Sequence, residues 1–154
     1  ALLRFLRTEL DHVSWERVVS GPGLHGIYRF LLDRNRVEAP EWLAEGVRVG
    51  DPAAAVALAA ERGEDELADR AVRTFIRLYG AEVGNLALKV MARGGVYVAG
   101  GIAPKLRDLM SSGLFVDAFL AKGRMRPLLE RMPVRLVLNP RLALPGAARR
   151  ALAG

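Results

Sequence analysis

A long run of apolar residues at helical spacing constrains the fold more than any other feature of this sequence. Between Asp65 and Met91 the apolar positions are 67, 68, 71, 72, 75, 76, 79, 83, 86, 87 and 90, and this pattern predicts a single helix. Gly80 and Gly84 lie inside it, where each costs roughly 1 kcal/mol relative to alanine. Because they are four residues apart, they share one helix face. We expect that face to admit another backbone or a flat ligand.

Only two segments carry the signs of β-strands. Residues 96–99 (VYVA) lie between two glycine pairs, and their length and β-branching predict a buried strand. Residues 134–138 (VRLVL) predict a second strand, which ends at Asn139 and Pro140. Because so short a pair cannot close a sheet, we expect these strands to extend a sheet begun upstream. The first helix opens at Leu2 without a capping residue, so we also expect the chain to begin inside a larger protein.

Capping and turn residues mark several boundaries. Ser14 is a good N-cap for a short helix, and residues 20–23 (SGPG) predict a turn. Asp51 and Pro52 are typical of an N-cap and a first helical position. The segment 37–50 predicts a loop or a broken short helix. Apolar spacing predicts further helices at residues 2–10, 24–32, 53–60, 105–110, 114–121 and 125–132, with a final helix from Pro145.

Composition and charge argue against several classes of protein. The chain has no cysteine, which excludes disulfides and thiolate ligands and agrees with a cytoplasmic location. No apolar run reaches the roughly 18 residues of a membrane span, so we expect no membrane contact. The formal net charge is +6, but the arginines are scattered among acids, which indicates a solvated surface rather than a nucleic-acid partner. Since His12 and His25 lack metal-ligand spacing, we expect no metal site; His12 is expected to be structural and His25 to lie on a helix surface.

The segment 96–104 carries the main chemical signal. A predicted buried strand ends at Gly100 and Gly101, and Pro104 then opens a helix. Glycines at the carboxyl end of a strand let a flat base or a phosphate approach the backbone. The segment contains neither a GxGxxG nor a GKS or GKT sequence, so it is not a dinucleotide fingerprint or a Walker P-loop. Taken alone, it is explained equally well by a plain tight turn.

Several motifs together resemble bacterial glucokinases, which belong to the hexokinase, actin and Hsp70 ATPase superfamily. The matching segments, in order, are 9–14 (ELDHVS), 20–24 (SGPGL), 84–88 (GNLAL), 94–104 (GGVYVAGGIAP), 122–124 (KGR) and the flanks of 133–140 (PV…NP). The resemblance implies an α/β, ribonuclease-H-like (actin-like ATPase) large domain, present as its helix-rich C-terminal part with an incomplete sheet. Residues 1–143 would belong to that domain. Residues 144–154 would form a terminal helix that returns toward a small N-terminal domain.

The same resemblance assigns roles to individual residues. Gly100, Gly101 and Ile102 match the adenosine motif, whose backbone packs against adenine and ribose. Gly21 and Gly23 match a loop at the edge of the cleft and are expected near ATP. Glu9 matches the glutamate that accepts hydrogen bonds from glucose hydroxyls, a role that suits an acceptor-only carboxylate.

The function implied is ATP-dependent phosphorylation of D-glucose to glucose 6-phosphate in glycolysis, with Mg²⁺ and within a homodimer. The family's catalytic aspartate, phosphate-binding glycine turns and Glu-x-x-His sugar motif are expected upstream. This chain would therefore hold no catalytic residue and would be inactive alone. Two alternatives stay open: a kinase for another hexose, and a non-catalytic regulatory or binding module on the same fold.

Overall fold

The computed structural model describes residues 1–139 and 141–153. Its helices are α1 (Leu2–Leu6), α2 (Gly21–Asn35), α3 (Glu41–Val49), α4 (Pro52–Glu61), α5 (Glu66–Lys89), α6 (Ile102–Lys105), α7 (Arg107–Ser111), α8 (Leu114–Leu120), α9 (Arg126–Leu129) and α10 (Ala143–Leu152). Its strands are β1 (Val96–Val98) and β2 (Val134–Leu136), and short 3₁₀ turns cover Trp15–Arg17 and Gly123–Met125. The result is a helix-rich α/β fold with a small sheet.

Helix α5 is the centre of the fold and confirms the long helix predicted from the sequence, ending at Lys89 rather than Met91. Its buried residues repeat every three or four positions, and helices α2, α4 and α8 pack around it. Asp65 caps its start, because the Oδ1 atom accepts a hydrogen bond from the Ala68 backbone N–H at 2.6 Å. The hydroxyl of the buried Tyr28 donates to Asp65 Oδ2 at 3.4 Å. Helix α2 is thereby fixed to the beginning of α5.

The two glycines of α5 accommodate a neighbouring backbone. A Cβ atom on Gly80 would lie 2.3 Å from the carbonyl oxygen of Phe115, and one on Gly84 would lie 2.6 Å from that of Phe119. Both carbonyls belong to α8, so of the two possibilities left by the sequence it is a helix, and not a flat ligand, that approaches this face. Just beyond α8, Lys122 Nζ donates to the Ala81 carbonyl at 2.7 Å and ties the next segment to α5.

The two strands form a parallel pair whose apolar side chains pack against the hydrophobic core. Val96 pairs with Val134 and Val98 with Leu136. Val98 is buried, whereas the Tyr97 side chain is 64% exposed and lies against the Arg135 guanidinium, 5.6 Å from the ring centre. The predicted buried strand is therefore only partly buried, at Val98 and not at Tyr97. One face of this short sheet packs on the helices, and nothing among the described residues covers the other.

Several predicted boundaries change in the structure. The turn predicted at 20–23 is instead the start of α2, with Ser20 as N-cap and its Oγ accepting from the Gly23 N–H at 3.2 Å. The segment 37–50 contains the regular helix α3, whose Leu43 side chain is buried. The cap at Asp51 is confirmed, since Asp51 Oδ1 accepts from the Ala53 N–H at 2.9 Å.

The C-terminal half follows the predicted order with shorter elements. The predicted helix 105–110 is two helices, α6 and α7, and α6 begins at Ile102, before Pro104. The strand end predicted at Pro140 lies outside the described residues. Helix α10 begins at Ala143, two residues before the predicted Pro145, and none of its residues is buried. No helix in the described part of the chain has the length and apolar character needed to cross a membrane.

Candidate functional site

The junction between β1 and α6 is open. Gly100 has a φ of +115°, a conformation that side-chain-bearing residues rarely adopt. Gly101 has an ordinary helical φ of −82° and is the N-cap residue of α6. A Cβ atom on either residue would meet no heavy atom within 4 Å. The tip predicted from the sequence is therefore bare backbone facing free space, with no side chain packed over it.

A groove of about 720 Å³ is lined by Pro104, three residues after Gly101 in the chain, but not by Gly100, Gly101 or Ile102. Its floor is the small and apolar face of α4, including Ala54, Ala57 and Leu58. Its rim is charged, with the Arg73–Asp69 ion pair at 2.7 Å on the α5 side. Such a groove offers an apolar surface for a flat ring and polar groups around its edge.

A second cavity, of about 300 Å³, lies between the first turns of α2 and α4. Gly21, His25 and Arg29 line it from α2, and they are four residues apart, so they share one helix face. Asp51 and Ala53 line it from the start of α4. Since Ala54, the next residue, lines the groove at Pro104, the first turn of α4 separates the two cavities.

The structure gives Gly21 and Gly23 different surroundings. Gly21 lines the smaller cavity, and a Cβ atom there would make an ordinary 3.5 Å contact with Ala53. Gly23 is buried, and a Cβ atom on it would lie 2.2 Å from the Val18 carbonyl oxygen. The bare side of Gly23 is thus occupied by the chain itself. Of the two predicted ATP-binding glycines in this segment, Gly21 is the one that borders a cavity.

Glu9 lies after α1 on the surface and is held by Arg29. The Arg29 guanidinium donates to both carboxylate oxygens, to Oε2 at 3.0 Å and to Oε1 through its second nitrogen. These hydrogen bonds and the positive charge lower the pKa of Glu9, so the carboxylate is ionised at neutral pH. Because Arg29 also lines the smaller cavity, the ion pair joins Glu9 to its edge.

His25, Arg29 and Asp51 are lining residues that the sequence does not single out as a site. His25 is predicted on a helix surface but is half-buried. Burial lowers the pKa of its imidazole, and the Arg29 charge lowers it further, so the ring is neutral at neutral pH. The four-residue spacing from Gly21 to His25 to Arg29 is the available signal. In the described residues, no three His, Asp or Glu side chains lie close enough together to hold a metal ion.

The fold and this region define a helix-rich α/β domain with an open glycine tip at the carboxyl end of a parallel strand, where α/β proteins bind ligands. The sequence model of the Glucokinase family matches residues 1–153, so the chain belongs to the glucokinase family. It is 47% identical to the glucokinase of Trichormus variabilis over 161 aligned residues, which cover 96% of this chain and 47% of that protein.

Two further comparisons agree. The glucokinase of Marinobacter nauticus is 37% identical, with 96% of this chain and 43% of that protein covered. A crystal structure of a glucokinase from an Antarctic psychrotroph superimposes with a TM-score of 0.85 at 34% identity, covering 99% of this chain and 45% of that one. The chain therefore spans about half the length of the relatives it matches, and it shares their fold over nearly its whole length.

Proposed function

We propose that this chain is the nucleoside-holding part of a glucokinase, and that the whole protein phosphorylates D-glucose at its 6-hydroxyl with ATP, as a step of glycolysis. The observation that carries the proposal is the open tip at Gly100 and Gly101 beside an apolar groove. We infer that β1 and β2 extend a ribonuclease-H-like sheet completed by other parts of the protein.

The nucleoside would lie across the first turn of α4. The base would occupy the groove of about 720 Å³ beside Ala54 and Pro104, where apolar side chains exclude water from its faces. The backbone of Gly100 and Gly101, with Ile102 following, would pack against the nucleoside because no side chain intervenes. The ribose would face the smaller cavity at Gly21.

Phosphoryl transfer needs groups that this chain is proposed to lack. Transfer rests on positioning, Mg²⁺ and stabilisation of charge on the phosphates, and Mg²⁺ would supply the neutralising charge there. We assign the ion, the general-base aspartate and the phosphate turns to other parts of the protein, as the resemblance to glucokinases implies. The chain alone is expected to show no glucose-dependent ATP turnover. Turnover by the isolated chain would contradict this assignment.

The tip can be tested with a matched pair of glycine variants in the full-length protein. Gly101 and Gly94 are both exposed, have no positive φ, and have no heavy atom within 4 Å of the place that a Cβ atom would occupy. Gly101→Val should raise the KM for ATP about tenfold, or about 1.4 kcal/mol, because its branched side chain fills the nucleoside's space. Gly94→Val, at the other end of β1, should leave it unchanged. Equal KM values for the two variants would remove the nucleoside from the tip.

The sugar role of Glu9 needs a control, because Arg29 already uses both carboxylate oxygens. A carboxylate has about four acceptor positions, so Glu9 retains capacity for sugar hydroxyls. Glu16, in the nearby 3₁₀ turn, is exposed and makes no side-chain hydrogen bond or ion pair within the described residues. Glu9→Gln should raise the KM for glucose and leave that for ATP nearly unchanged. If Glu16→Gln does so instead, the sugar role belongs to Glu16.

The remaining family features are proposed on the same basis. Helix α10 would return to the small N-terminal domain, which fits its lack of any buried residue. Amide hydrogen exchange in α10 should then be slower in the full-length protein than in this chain. A homodimer and a cytoplasmic location are proposed as well, and sedimentation of the full-length protein and cell fractionation test them. Comparing glucose, mannose and fructose as substrates distinguishes a glucokinase from a kinase for another hexose.

A further inference from the structure

The cavity at the start of α2 contains one side chain whose hydrogen-bonding groups are unused. The volume of about 300 Å³ is at the lower end of ligand pockets, so the cavity holds part of a nucleotide rather than all of it. His25 projects from the same helix face as Gly21, one turn further along α2. Its imidazole makes no hydrogen bond to any described residue. The ring is half-buried and lines the cavity, so it is available to a ligand there.

The charged groups around His25 are already paired. Arg29, one turn further along α2, donates to Glu9, and Asp51, across the cavity on α4, accepts from the backbone N–H groups of Ala53 and Ala54. Among the described residues, neither group makes a hydrogen bond with His25. Burial and the Arg29 charge lower the pKa of His25, which leaves one ring nitrogen as a donor and the other as an acceptor.

We propose that His25 is a nucleoside-contacting residue, whose neutral imidazole accepts a hydrogen bond from a ribose hydroxyl in the smaller cavity. This inference rests on the proposed nucleotide site and adds a contact on its ribose side. A neutral hydroxyl suits this position because the surrounding charges are already engaged. The imidazolium form has no acceptor, so protonation removes this accepted hydrogen bond and leaves a ring that can only donate to the hydroxyl oxygen.

Proton binding and nucleoside binding should therefore oppose each other. Affinity is highest above the pKa of His25 and falls as the pH drops through it, and by reciprocity a bound nucleoside lowers that pKa further. Adenosine is the appropriate probe because it lacks phosphates, whose negative charge would favour the imidazolium. Loss of the accepted hydrogen bond predicts adenosine binding that weakens as the pH falls through the folded pKa of His25, by about fivefold once the ring is fully protonated.

The measurement uses the full-length protein and NMR, with the two imidazole signals from this chain assigned by their loss in His25→Gln and His12→Gln. The imidazole signals of His25 and His12 would be titrated with and without saturating adenosine, with the Ile102 methyl signals reporting on the open tip. Adenosine should lower the pKa of His25, and the signal of the exposed His12 should not respond to adenosine. Adenine, which has no ribose, should shift the Ile102 signals and leave the His25 titration as it is.

Each outcome decides a separate point. If adenosine shifts Ile102 but not the His25 titration, the His25 contact is overturned while the nucleotide site stands. If adenine alone changes the His25 titration, the ribose contact is wrong. If nothing moves, both the contact and the proposed nucleotide site fall. His25→Gln keeps a hydrogen-bonding side chain without titrating, so it should abolish the pH dependence of adenosine binding, whereas His12→Gln should preserve it; a dependence that survives in His25→Gln contradicts the proposal.

Discussion

The close crossing of α5 and α8 predicts that alanine at Gly80 lowers the free energy of unfolding, whereas alanine at Gly46, a glycine in α3 away from that crossing, raises it. Gly80 lies in the middle of α5, where a glycine-to-alanine change by itself favours the helix by about 1 kcal/mol. The new Cβ atom, however, would lie 2.3 Å from the Phe115 carbonyl oxygen. Because that oxygen belongs to helix backbone, it cannot rotate away as a side-chain atom would. Helix α8 must move instead.

The magnitude follows from the distance. An ordinary van der Waals contact begins near 3.4 Å, so α8 must move away from α5 by about 1 Å at this point. That movement loosens the edge-on contact of Tyr79 with Phe115, whose ring centres are 5.8 Å apart. Overpacking of this kind costs typically about 1–3 kcal/mol and exceeds the gain in helix propensity. Subtracting the propensity gain from the middle of that range, we expect Gly80→Ala to lower the free energy of unfolding by about 1 kcal/mol and Tm by about 2–4 °C.

Gly46→Ala is the matched control, because Gly46 is also inside a helix but has room for a methyl group. Its Cβ atom would lie 3.6 Å from the Ala55 Cβ, an ordinary contact, so the change should stabilise the chain by about 0.5–1 kcal/mol. Urea and thermal unfolding followed by circular dichroism measure both variants. A Gly80→Ala protein that unfolds at or above the wild-type Tm would refute the close backbone contact.

Two further predictions concern the ends of helices and the effect of pH. Asp65→Ala removes both the cap of α5 and the partner of the Tyr28 hydroxyl, and should lower the free energy of unfolding in urea by about 1–2 kcal/mol. Asp51→Ala removes only a cap and should cost less. Equal losses would mean that the Tyr28 contact contributes nothing. Because the pKa of His25 is lowered in the folded chain, the unfolded chain binds more protons, so unfolding free energy should fall as the pH drops from the ordinary value of 6.5 through the folded pKa. His25→Gln should lessen that fall, and an unchanged pH dependence in this variant would contradict the reasoning.

The parts of the fold that local rules determine can be predicted from the sequence. Helix α5 is predictable because its apolar residues repeat at helical spacing over 24 residues. The start of α4 is predictable because aspartate followed by proline satisfies a helix N-terminus whatever surrounds it. In both cases the energy that decides the structure lies within a few residues of the chain.

The sequence predictions fail where contacts between residues far apart in the chain determine the local structure. Serine, glycine and proline at residues 20–23 suit a turn and a helix start equally well, and the close fit of Gly23 on Val18 favours the helix. Helix α3 is ambiguous in the sequence because Pro40 directly precedes it and Gly46 lies inside it, yet Leu43 is only 1% exposed. Burial of that side chain stabilises a helix that local propensity leaves undecided.

The candidate site also has one part that can be predicted from the sequence and one that cannot. The open tip at Gly100 and Gly101 is a feature of one continuous segment, so the strand and glycine pattern predicts it. The smaller cavity needs residues from α2 and from the start of α4, and His25 and Asp51 are brought together only by the packing of those helices. Spacing within α2 can show that Gly21, His25 and Arg29 share a face, but not that this face borders a cavity.

Glycines in this chain are needed for different physical reasons. Only a glycine that neither packing nor φ requires can be substituted to test for a ligand without also disturbing the fold. Gly80 is needed because a backbone lies against it, and Gly100 because its φ is +115°. Gly101 is required neither by close packing nor by a positive φ, so its replacement tests the proposed nucleoside contact with little disturbance of the fold. Gly94 shares both properties but precedes β1, whereas α/β proteins bind ligands where strands end. A difference in the KM for ATP between Gly101→Val and Gly94→Val therefore reports on the proposed nucleoside contact, because the two substitutions are expected to disturb the fold equally little.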